Sequence, residues 1–166
     1  DDGEAAREAV AAMGAPALMK TRREGYDGKG QMWVEHAADA PEAFKKVGAK
    51  PVILEAPADF VRELSVIAAR GRDGEIAVYP MAENHHEKGV LRRSFPPAEV
   101  SKETEGQAER IAAQALSALD YVGVIGIELF ELKDGKLLVN EIAPRVHNSG
   151  HWTIDGAVCS QFENHL

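Results

Sequence analysis

The sequence lacks the features that mark several classes of protein. Cys159 is its single cysteine, so no internal disulfide bond or multi-cysteine metal site can form, which suits a reducing compartment. Its apolar runs fall far short of the roughly 18 residues of a membrane span, and no signal sequence opens it. It has no block of basic residues, and 27 acidic against 19 basic residues give a net charge of -8. We therefore expect a soluble, cytoplasmic protein that binds neither membranes nor nucleic acid.

The composition that is present indicates a globular protein. The chain has 166 residues, of which 45% are apolar and 28% charged, which is enough for one ordinary domain or two small ones with a buried core. A helical pattern is already under way at the first residues, and no closing Gly, Pro or polar tail follows QFENHL. We expect the chain to be a segment of a longer protein.

Residues 1–55 have the pattern of a small α+β module. A helix ends at Gly14, a strand reaches Lys20, and GYDGKG forms the glycine-rich tip of a hairpin whose second strand is QMWVEH. A second helix is predicted from Asp39, as its cap, to Gly48, and the strand PVILE closes the module. The segment APADF is a plausible hinge to a larger module, residues 56–166.

The larger module reads as strands around one long helix. Extended segments are predicted in RELSVIAARG and EIAVYPMAENHHEKGVLRRSF, within which His85 and His86 are interpreted as polar loop residues. A helix is predicted at about 104–119, opened by a capping box from Thr104 to Gln107, with an apolar stripe. The stripe consists of Ala108, Ile111, Ala112, Ala115, Leu116 and Leu119.

The last two predicted strands set two glutamates face to face. They are VGVIGIELFEL and KLLVNEI, separated by the turn-forming pair Asp134-Gly135. A two-residue turn pairs Lys133 with Lys136 and every later pair whose numbers add up to 269. Glu128 then lies opposite Glu141, and a four-residue loop gives the same pairing.

Facing carboxylates need an explanation, because like charges at opposed positions repel and a buried unpaired carboxylate is costly. A divalent cation held by Glu128 and Glu141 would remove the conflict. Asn140 supplies an amide oxygen next to them, although it points to the opposite face unless the strand end twists. Two alternatives stay open: solvated glutamates paired with lysine or arginine, and an acid–base pair for glycoside cleavage, which this geometry suits less well.

The glycine-rich loop is a weaker signal. Gly25, Gly28 and Gly30 allow the backbone to approach a ligand, so its N–H groups could wrap phosphate oxygens, but the spacing matches neither the P-loop nor the dinucleotide fingerprint. A flexible hairpin tip is the alternative. Lys20 at the end of the preceding strand favours phosphate binding, because an ammonium group complements such a loop.

The segment after Glu141 is rich in polar residues. Arg145, His147, Asn148 and His151 follow it closely, and an arginine fork suits a planar carboxylate or bicarbonate. His147 and His151 have a possible zinc spacing, but Pro144 and Gly150 disfavour a continuous helix there and no third soft ligand is evident.

Taken together, Lys20, GYDGKG, the segment 55–63, the glutamate pair and NEIAPRVHNSGHW resemble the ATP-grasp ligases. Within them, GYDGKGQ and NEIAPRVHNSGHWT are similar to the N5-carboxyaminoimidazole ribonucleotide synthetases of purine biosynthesis. The resemblance covers essentially the whole chain. It implies an α+β ATP-grasp fold, with a small lid module at 1–55 and a larger antiparallel-sheet module at 56–166. It also implies a preceding and a trailing domain that this chain does not contain.

The resemblance implies nucleotide-binding residues throughout the chain. Lys20 would contact the phosphates, and the loop of Gly25, Tyr26, Asp27, Gly28, Lys29 and Gly30 would cover them. Glu55 and the backbone of Ala56 and Ala58 would meet the adenine. Glu63 would hold the ribose hydroxyls, and Asn140 would adjoin the metal. Pro57 departs from the family, which usually has a bulky aromatic there, and His86 matches a family Asn-x-His pattern.

The resemblance further implies a reaction. Glu128 and Glu141 match magnesium ligands, and Arg145, His147 and Asn148 fall where the family handles bicarbonate and the transferred phosphoryl group. The implied enzyme is a carbon–nitrogen ligase that uses ATP, Mg²⁺ and bicarbonate to carboxylate the amine of 5-aminoimidazole ribonucleotide through carboxyphosphate. A homodimer is implied for the intact protein. The alternatives are an ATP-grasp ligase with another acceptor and a non-catalytic ATP-binding module.

Overall fold

The fold is taken from a computed structural model, which describes residues 2–23, 29–87 and 89–166. The chain divides into two compact units. The small unit contains the described residues of 1–58 and 88–90, and the large unit comprises Asp59–Glu87 and Leu91–Leu166. The division between Ala58 and Asp59 falls inside the APADF segment. Within the described ranges, no helix is both long and apolar enough to cross a membrane.

The small unit packs two helices on a three-stranded antiparallel sheet. The helices are α1 (Gly3–Met13) and α2 (Ala40–Lys46), and the strands β1 (Ala17–Thr21), β2 (Gln31–Val34) and β3 (Val52–Glu55) lie in the order β2-β1-β3. Alternate residues of β1 face the helices, so Ala17 and Met19 are fully buried while Leu18 and Lys20 lie on the other face. The core of this unit contains Ala6, Val10, Ala17, Met19, Val34, Ala40, Ala43 and Phe44.

Glycine ends α1 as the sequence predicts. Gly14 has a φ of +98° and donates its N–H to the carbonyl of Val10 at 2.9 Å. Asp39 occupies the N-cap position of α2 as predicted, but it is also the last residue of a 3-10 turn (Ala37–Asp39) and its side chain makes no capping hydrogen bond. Asp39 already has helical backbone angles. Its side chain cannot reach the free N–H groups of α2, because a capping residue needs an extended backbone to do so.

The large unit is a six-stranded antiparallel sheet with one long helix. Its strands are β4 (Phe60–Arg70), β5 (Ile76–Val78), β6 (Ala82–Glu87), β7 (Val90–Phe95), β8 (Gly123–Leu132) and β9 (Leu137–Ala143). Their order is β7-β6-β4-β8-β9, with β5 also paired to β4. The interpretation of His85 and His86 as loop residues is wrong, since both lie in β6 and alternate between its faces.

Helix α3 (Lys102–Ala118) covers one face of this sheet. It begins earlier than predicted, because Ser101 is extended and its side chain accepts the N–H of Thr104 at 3.0 Å. The predicted stripe is confirmed at Ala108, Ala112 and Leu116, which are fully buried. It is wrong at Leu119, which caps the helix and is 56% exposed.

The opposite face of the sheet is partly covered by the C-terminal segment. This segment contains a 3-10 turn (Asn148–Gly150) and the short helix α4 (Thr153–Gly156). The segment packs against Ile67 of β4, which is 2% exposed, and against Gly126 of β8. The remainder of that face, beside the C-terminal segment, carries the polar side chains described next.

Candidate functional site

The pairing of β8 with β9 places Glu128 opposite Glu141, as the sequence predicts. The turn itself differs from the prediction, because Leu132, rather than Lys133, bonds Lys136, with a distance of 2.9 Å from the Leu132 nitrogen to the Lys136 carbonyl. Three residues therefore form the loop, and Gly135 adopts a φ of +78° that favours glycine. Next to the turn, the numbers of paired residues therefore add up to 268 instead of the predicted 269, as in the pair Glu131 and Leu137.

A β-bulge at Asn140 restores the predicted register. Leu129 pairs with Val139, while Glu128 pairs with Glu141, so Asn140 is the extra residue on β9. A regular strand would point Asn140 away from the glutamates, but the bulge turns its side chain to their face. Its Nδ2 donates to Oε2 of Glu128 at 3.3 Å. The bulge thus brings two carboxylates and one amide together.

Glu128 is largely enclosed, with a side chain that is 16% exposed. Its Oε1 lies 3.8 Å from Nε2 of His86 and 3.5 Å from Nε2 of His147. Burial raises the pKa of Glu128, but the two histidines and the Asn140 amide together outweigh it, so the pKa lies below the ordinary value. Glu128 is therefore an ionised, partly buried carboxylate, which excludes the alternative of two solvated glutamates.

His86 bridges two carboxylates of this face. Its Nδ1 lies 2.8 Å from Oε2 of Glu63, and its Nε2 faces Glu128. The Glu63 contact is an ion pair rather than an aligned hydrogen bond, since Nδ1 has no partner within hydrogen-bond geometry among the described residues. Glu128 and Glu63 raise the pKa of His86 to about 10, against a smaller effect of burial. A cationic His86 thus separates Glu63 from Glu128.

His147 has the opposite protonation state. Burial lowers its pKa more than the Glu128 charge raises it, so the imidazole is neutral at pH 7. The backbone N–H of Ser149 donates to Nδ1 at 3.3 Å, and the Ser149 hydroxyl lies 2.9 Å from the same nitrogen. A proton on the neutral ring therefore sits on Nε2, which faces Glu128.

The donor set fits a magnesium ion. No group of three or more His, Cys, Asp or Glu side chains in the described part of the chain is arranged to hold a metal by itself. Glu128 and Glu141 supply carboxylate oxygens and Asn140 an amide, and Mg²⁺ typically takes one or two carboxylates and completes its shell with water and phosphate oxygens. Ser65, paired with Glu128 across β4 and β8, has a buried hydroxyl with no partner among the described residues, as expected beside a site that binds water or ligand.

Lys20 and Glu55 of the small unit lie on the sheet face away from the helices. Nζ of Lys20 is 2.6 Å from Oε2 of Glu55, joining the ends of β1 and β3. Ala56 is exposed and Ala58 half-buried, both outside any strand or helix. Gly30 has a φ of +73°, and its carbonyl accepts the N–H of Thr21 at 2.8 Å.

Lys29 is described, whereas Gly25, Tyr26, Asp27 and Gly28 lie outside the described residues. Their predicted contacts with phosphate therefore remain predictions.

The remaining predicted residues differ in how closely they approach the carboxylates. Of the three proposed for bicarbonate, His147 contacts Glu128, while Arg145 and Asn148 are exposed. The Arg145 guanidinium donates to the carbonyl of Val146 at 2.9 Å, yet its charge also lowers the pKa of His147. His151 contacts the ring of Phe162, with 5.6 Å between centroids. The structure therefore brings His147, but not His151, to the carboxylates.

Sequence reasoning left the role of His86 unassigned and did not identify Ser149 and Gln161. Strand alternation could have placed His86 on the face of Asn84, but its approach to Glu63 depends on the pairing of β6 with β4. Ser149 and Gln161, which hold His147, gave no such signal. Their partners depend on how the C-terminal segment folds back on the sheet.

These two units and this carboxylate site define the class of the protein, and the chain belongs to the ATP-grasp family, whose domain model matches residues 1–162. The chain is 52% identical over 158 residues to N5-carboxyaminoimidazole ribonucleotide synthase of Pseudomonas aeruginosa, covering 95% of this chain and 43% of the relative. The crystal structure of the synthetase from Thermus thermophilus superposes with a TM-score of 0.89 at 49% identity, covering 99% of this chain and 44% of that one.

A third relative was solved with ligands. It is the synthase from Aspergillus clavatus in complex with ADP and 5-aminoimidazole ribonucleotide, with a TM-score of 0.86 and 34% identity, covering 96% of this chain and 41% of that one. The chain thus spans less than half the length of each of these three relatives.

Proposed function

We propose that the protein containing this chain carboxylates the amine of 5-aminoimidazole ribonucleotide, using ATP and bicarbonate, in purine biosynthesis. The observation that carries the proposal is the Glu128/Glu141 pair, joined by the Asn140 amide at a bulge, in a chain similar to synthases of this name. The structure of the Aspergillus clavatus relative with ADP and this ribonucleotide supports the choice of substrates.

The reaction has two steps. An oxygen of bicarbonate attacks the γ-phosphorus of ATP, the bond to the β-phosphate oxygen breaks, and ADP leaves, which gives carboxyphosphate. The amine of the ribonucleotide then attacks the carbonyl carbon, the bond to the phosphate oxygen breaks, and the nitrogen loses a proton as inorganic phosphate departs. Both steps depend on placing anionic groups close together and on excluding water from the intermediate.

The chain's residues divide these tasks. In this proposal Lys20 and the loop from Gly25 to Gly30 bind phosphate oxygens, and Glu55 with the backbone of Ala56 and Ala58 binds adenine. Glu63 holds the ribose hydroxyls. The small unit acts as a lid.

Glu128 and Glu141, with Asn140 adjoining, hold Mg²⁺, which would neutralise phosphate charge and polarise the transferred group. In this proposal Arg145 orients bicarbonate, and Asn148 takes part in handling bicarbonate and the transferred phosphoryl group. His147, neutral with its proton on Nε2, donates a hydrogen bond rather than a charge. A cytoplasmic location and a homodimeric assembly remain predictions.

The first test is ADP release by the full-length protein with Mg²⁺ and bicarbonate, with and without 5-aminoimidazole ribonucleotide. The proposal requires that ADP release depend strongly on this nucleotide. Release without the acceptor would favour an ATP-grasp ligase with another substrate. ATP binding without ADP release would favour a non-catalytic module.

The metal site is tested separately with Glu128→Ala and Glu141→Ala. Each variant should lose turnover, since it lacks a metal ligand. Glu109→Ala is the matched control, because Glu109 is an exposed carboxylate on α3 and its loss should leave turnover unchanged. Normal activity of both site variants at saturating Mg²⁺ would refute the assignment.

A further inference from the structure

We infer that Gln161 is a positioning residue for His147 in this reaction, an inference that rests on the proposed function. Gln161 is fully buried and lies 14 residues beyond His147, in the segment that folds back on the sheet. Its side chain makes two hydrogen bonds, and both reach the backbone of the same residue.

The two bonds hold His147 at both ends of its backbone. The His147 N–H donates to Oε1 of Gln161 at 3.0 Å, and Nε2 of Gln161 donates to the His147 carbonyl at 2.8 Å. His147 is extended, with φ −127° and ψ 152°, so its N–H and C=O point to the same side and match the donor and acceptor of one carboxamide. This pairing fixes both the position and the rotation of the residue whose ring faces Glu128.

Gln161 is itself held in place by its own backbone. Its N–H donates to Oγ1 of Thr153 at 2.9 Å, and that hydroxyl donates to the carbonyl of Gly150 at 2.6 Å. Gly150 leaves room for the amide, because a Cβ there would lie 2.4 Å from Oε1 of Gln161. The glutamine therefore has one available placement, set by Thr153 and Gly150.

His147 is confined from the sheet side as well. A Cβ on Gly126 would lie 2.6 Å from the Cβ of His147, so the histidine rests directly on the backbone of β8. With Gln161 behind it, Gly126 below it and Ser149 bonded to Nδ1, the residue keeps its Nε2 edge facing Glu128. Such confinement suits a group that must meet a small anion at a set distance, since a shift of about 1 Å can lower turnover about 100-fold.

A double-mutant cycle in the full-length protein separates positioning from structural support. Gln161→Met keeps the length of the side chain and removes both hydrogen bonds. We expect kcat/KM for bicarbonate to fall roughly 10- to 100-fold, while KM for ATP changes less than about twofold. In a His147→Ala background, Gln161→Met should lower activity less than about twofold further, because its effect passes through the missing side chain.

Three results would overturn the inference. Full activity of Gln161→Met, or losses that multiply in the double variant, would show that Gln161 does not act through His147, and the proposed function would stand. Full activity of His147→Ala would remove the role of His147 itself, and with it both this inference and that part of the proposed function. If Gln161→Met does not fold, Gln161→Glu carries the same cycle, because it keeps Oε1 and replaces only the donor.

Glycine variants give an independent measurement. Gly126→Ala should displace His147 from the other side and reproduce the fall in kcat/KM for bicarbonate. Gly106→Ala is the control, because Gly106 lies in α3 and a Cβ there would meet only the Arg110 side chain, at 3.4 Å. Equal, unimpaired activity of both variants would contradict the inferred confinement.

Discussion

Deletion of Asn140 should remove the amide that the bulge brings to the site while leaving Glu128 and Glu141 face to face. Val139 pairs with Leu129, so without Asn140 the next residue, Glu141, follows directly into the place opposite Glu128. The pairing on both sides of the deletion is unchanged, and the strand becomes regular. The carboxylates should therefore stay face to face while the amide is lost.

The expected loss follows from the contact that disappears. Asn140 donates to the ionised Glu128 at 3.3 Å, a long bond at a partly buried position. Hydrogen bonds to charged groups contribute about 1.5 to 3 kcal/mol, and the length of this one favours the lower end. A loss of about 1.5 kcal/mol should therefore appear in the free energy of unfolding, because both groups belong to the folded chain itself.

The assay is a titration of the full-length protein with ATP at fixed Mg²⁺, together with urea unfolding. Asn140→Ala, which keeps the bulge and lacks the amide, should lose a similar unfolding free energy, and both variants should still bind ATP because both carboxylates stay in place. A wild-type free energy of unfolding in both would show that the amide contributes nothing to stability. A deletion variant that does not fold, beside a stable Asn140→Ala, would refute the register argument.

Three further predictions concern the large unit. Leu116→Ala, at a fully buried position, should lower the free energy of unfolding by about 2 to 5 kcal/mol. Leu119→Ala, at a position that is 56% exposed, should change it by less than about 0.5 kcal/mol. Equal losses in urea unfolding would contradict this prediction. Ser101→Ala removes the cap of α3 and should cost about 1 kcal/mol, with an unchanged midpoint as the contrary result. A His85 hydrogen bond and the nearby Arg62 lower the pKa of Glu83 despite burial. The stabilisation that the Glu83 charge provides is therefore full above the unfolded-state pKa of about 4.3 and is lost as pH falls through the folded pKa. Glu83→Gln should match the stability of the wild type only in acid, and parallel curves of stability against pH would refute this.

Local signals identified most of the elements and several of the site residues. The apolar stripe of α3 and the glycine after α1 were predictable because helix periodicity and helix ends depend on neighbours in the chain. The pairing of Glu128 with Glu141 was predictable because a hairpin links its strands by a short turn. The turn type was not, since a three-residue loop and a later bulge give the same pairing at these residues as a two-residue loop without a bulge.

Contacts between distant segments could not be read from the chain. His86 lies next to Glu63 because β6 and β4 pair, and it meets Glu128 because β4 also pairs with β8. The pKa of His86 is raised by Glu128 and Glu63, which are distant from it in sequence. The pKa of His147 is lowered by burial, which arises when the C-terminal segment folds back on the sheet. No spacing in the sequence encodes those distances.

The α+β class, the ATP-grasp resemblance and the facing carboxylates follow from composition, motifs, periodicity and short turns, which depend only on neighbours in the chain. Tertiary structure decided which of the polar residues share a face and in which protonation state. The Asn140 amide joins Glu128 through a bulge, and Gln161 holds His147 through a segment that returns to the sheet. Both depend on burial and on pairing between elements, which are properties of the folded chain.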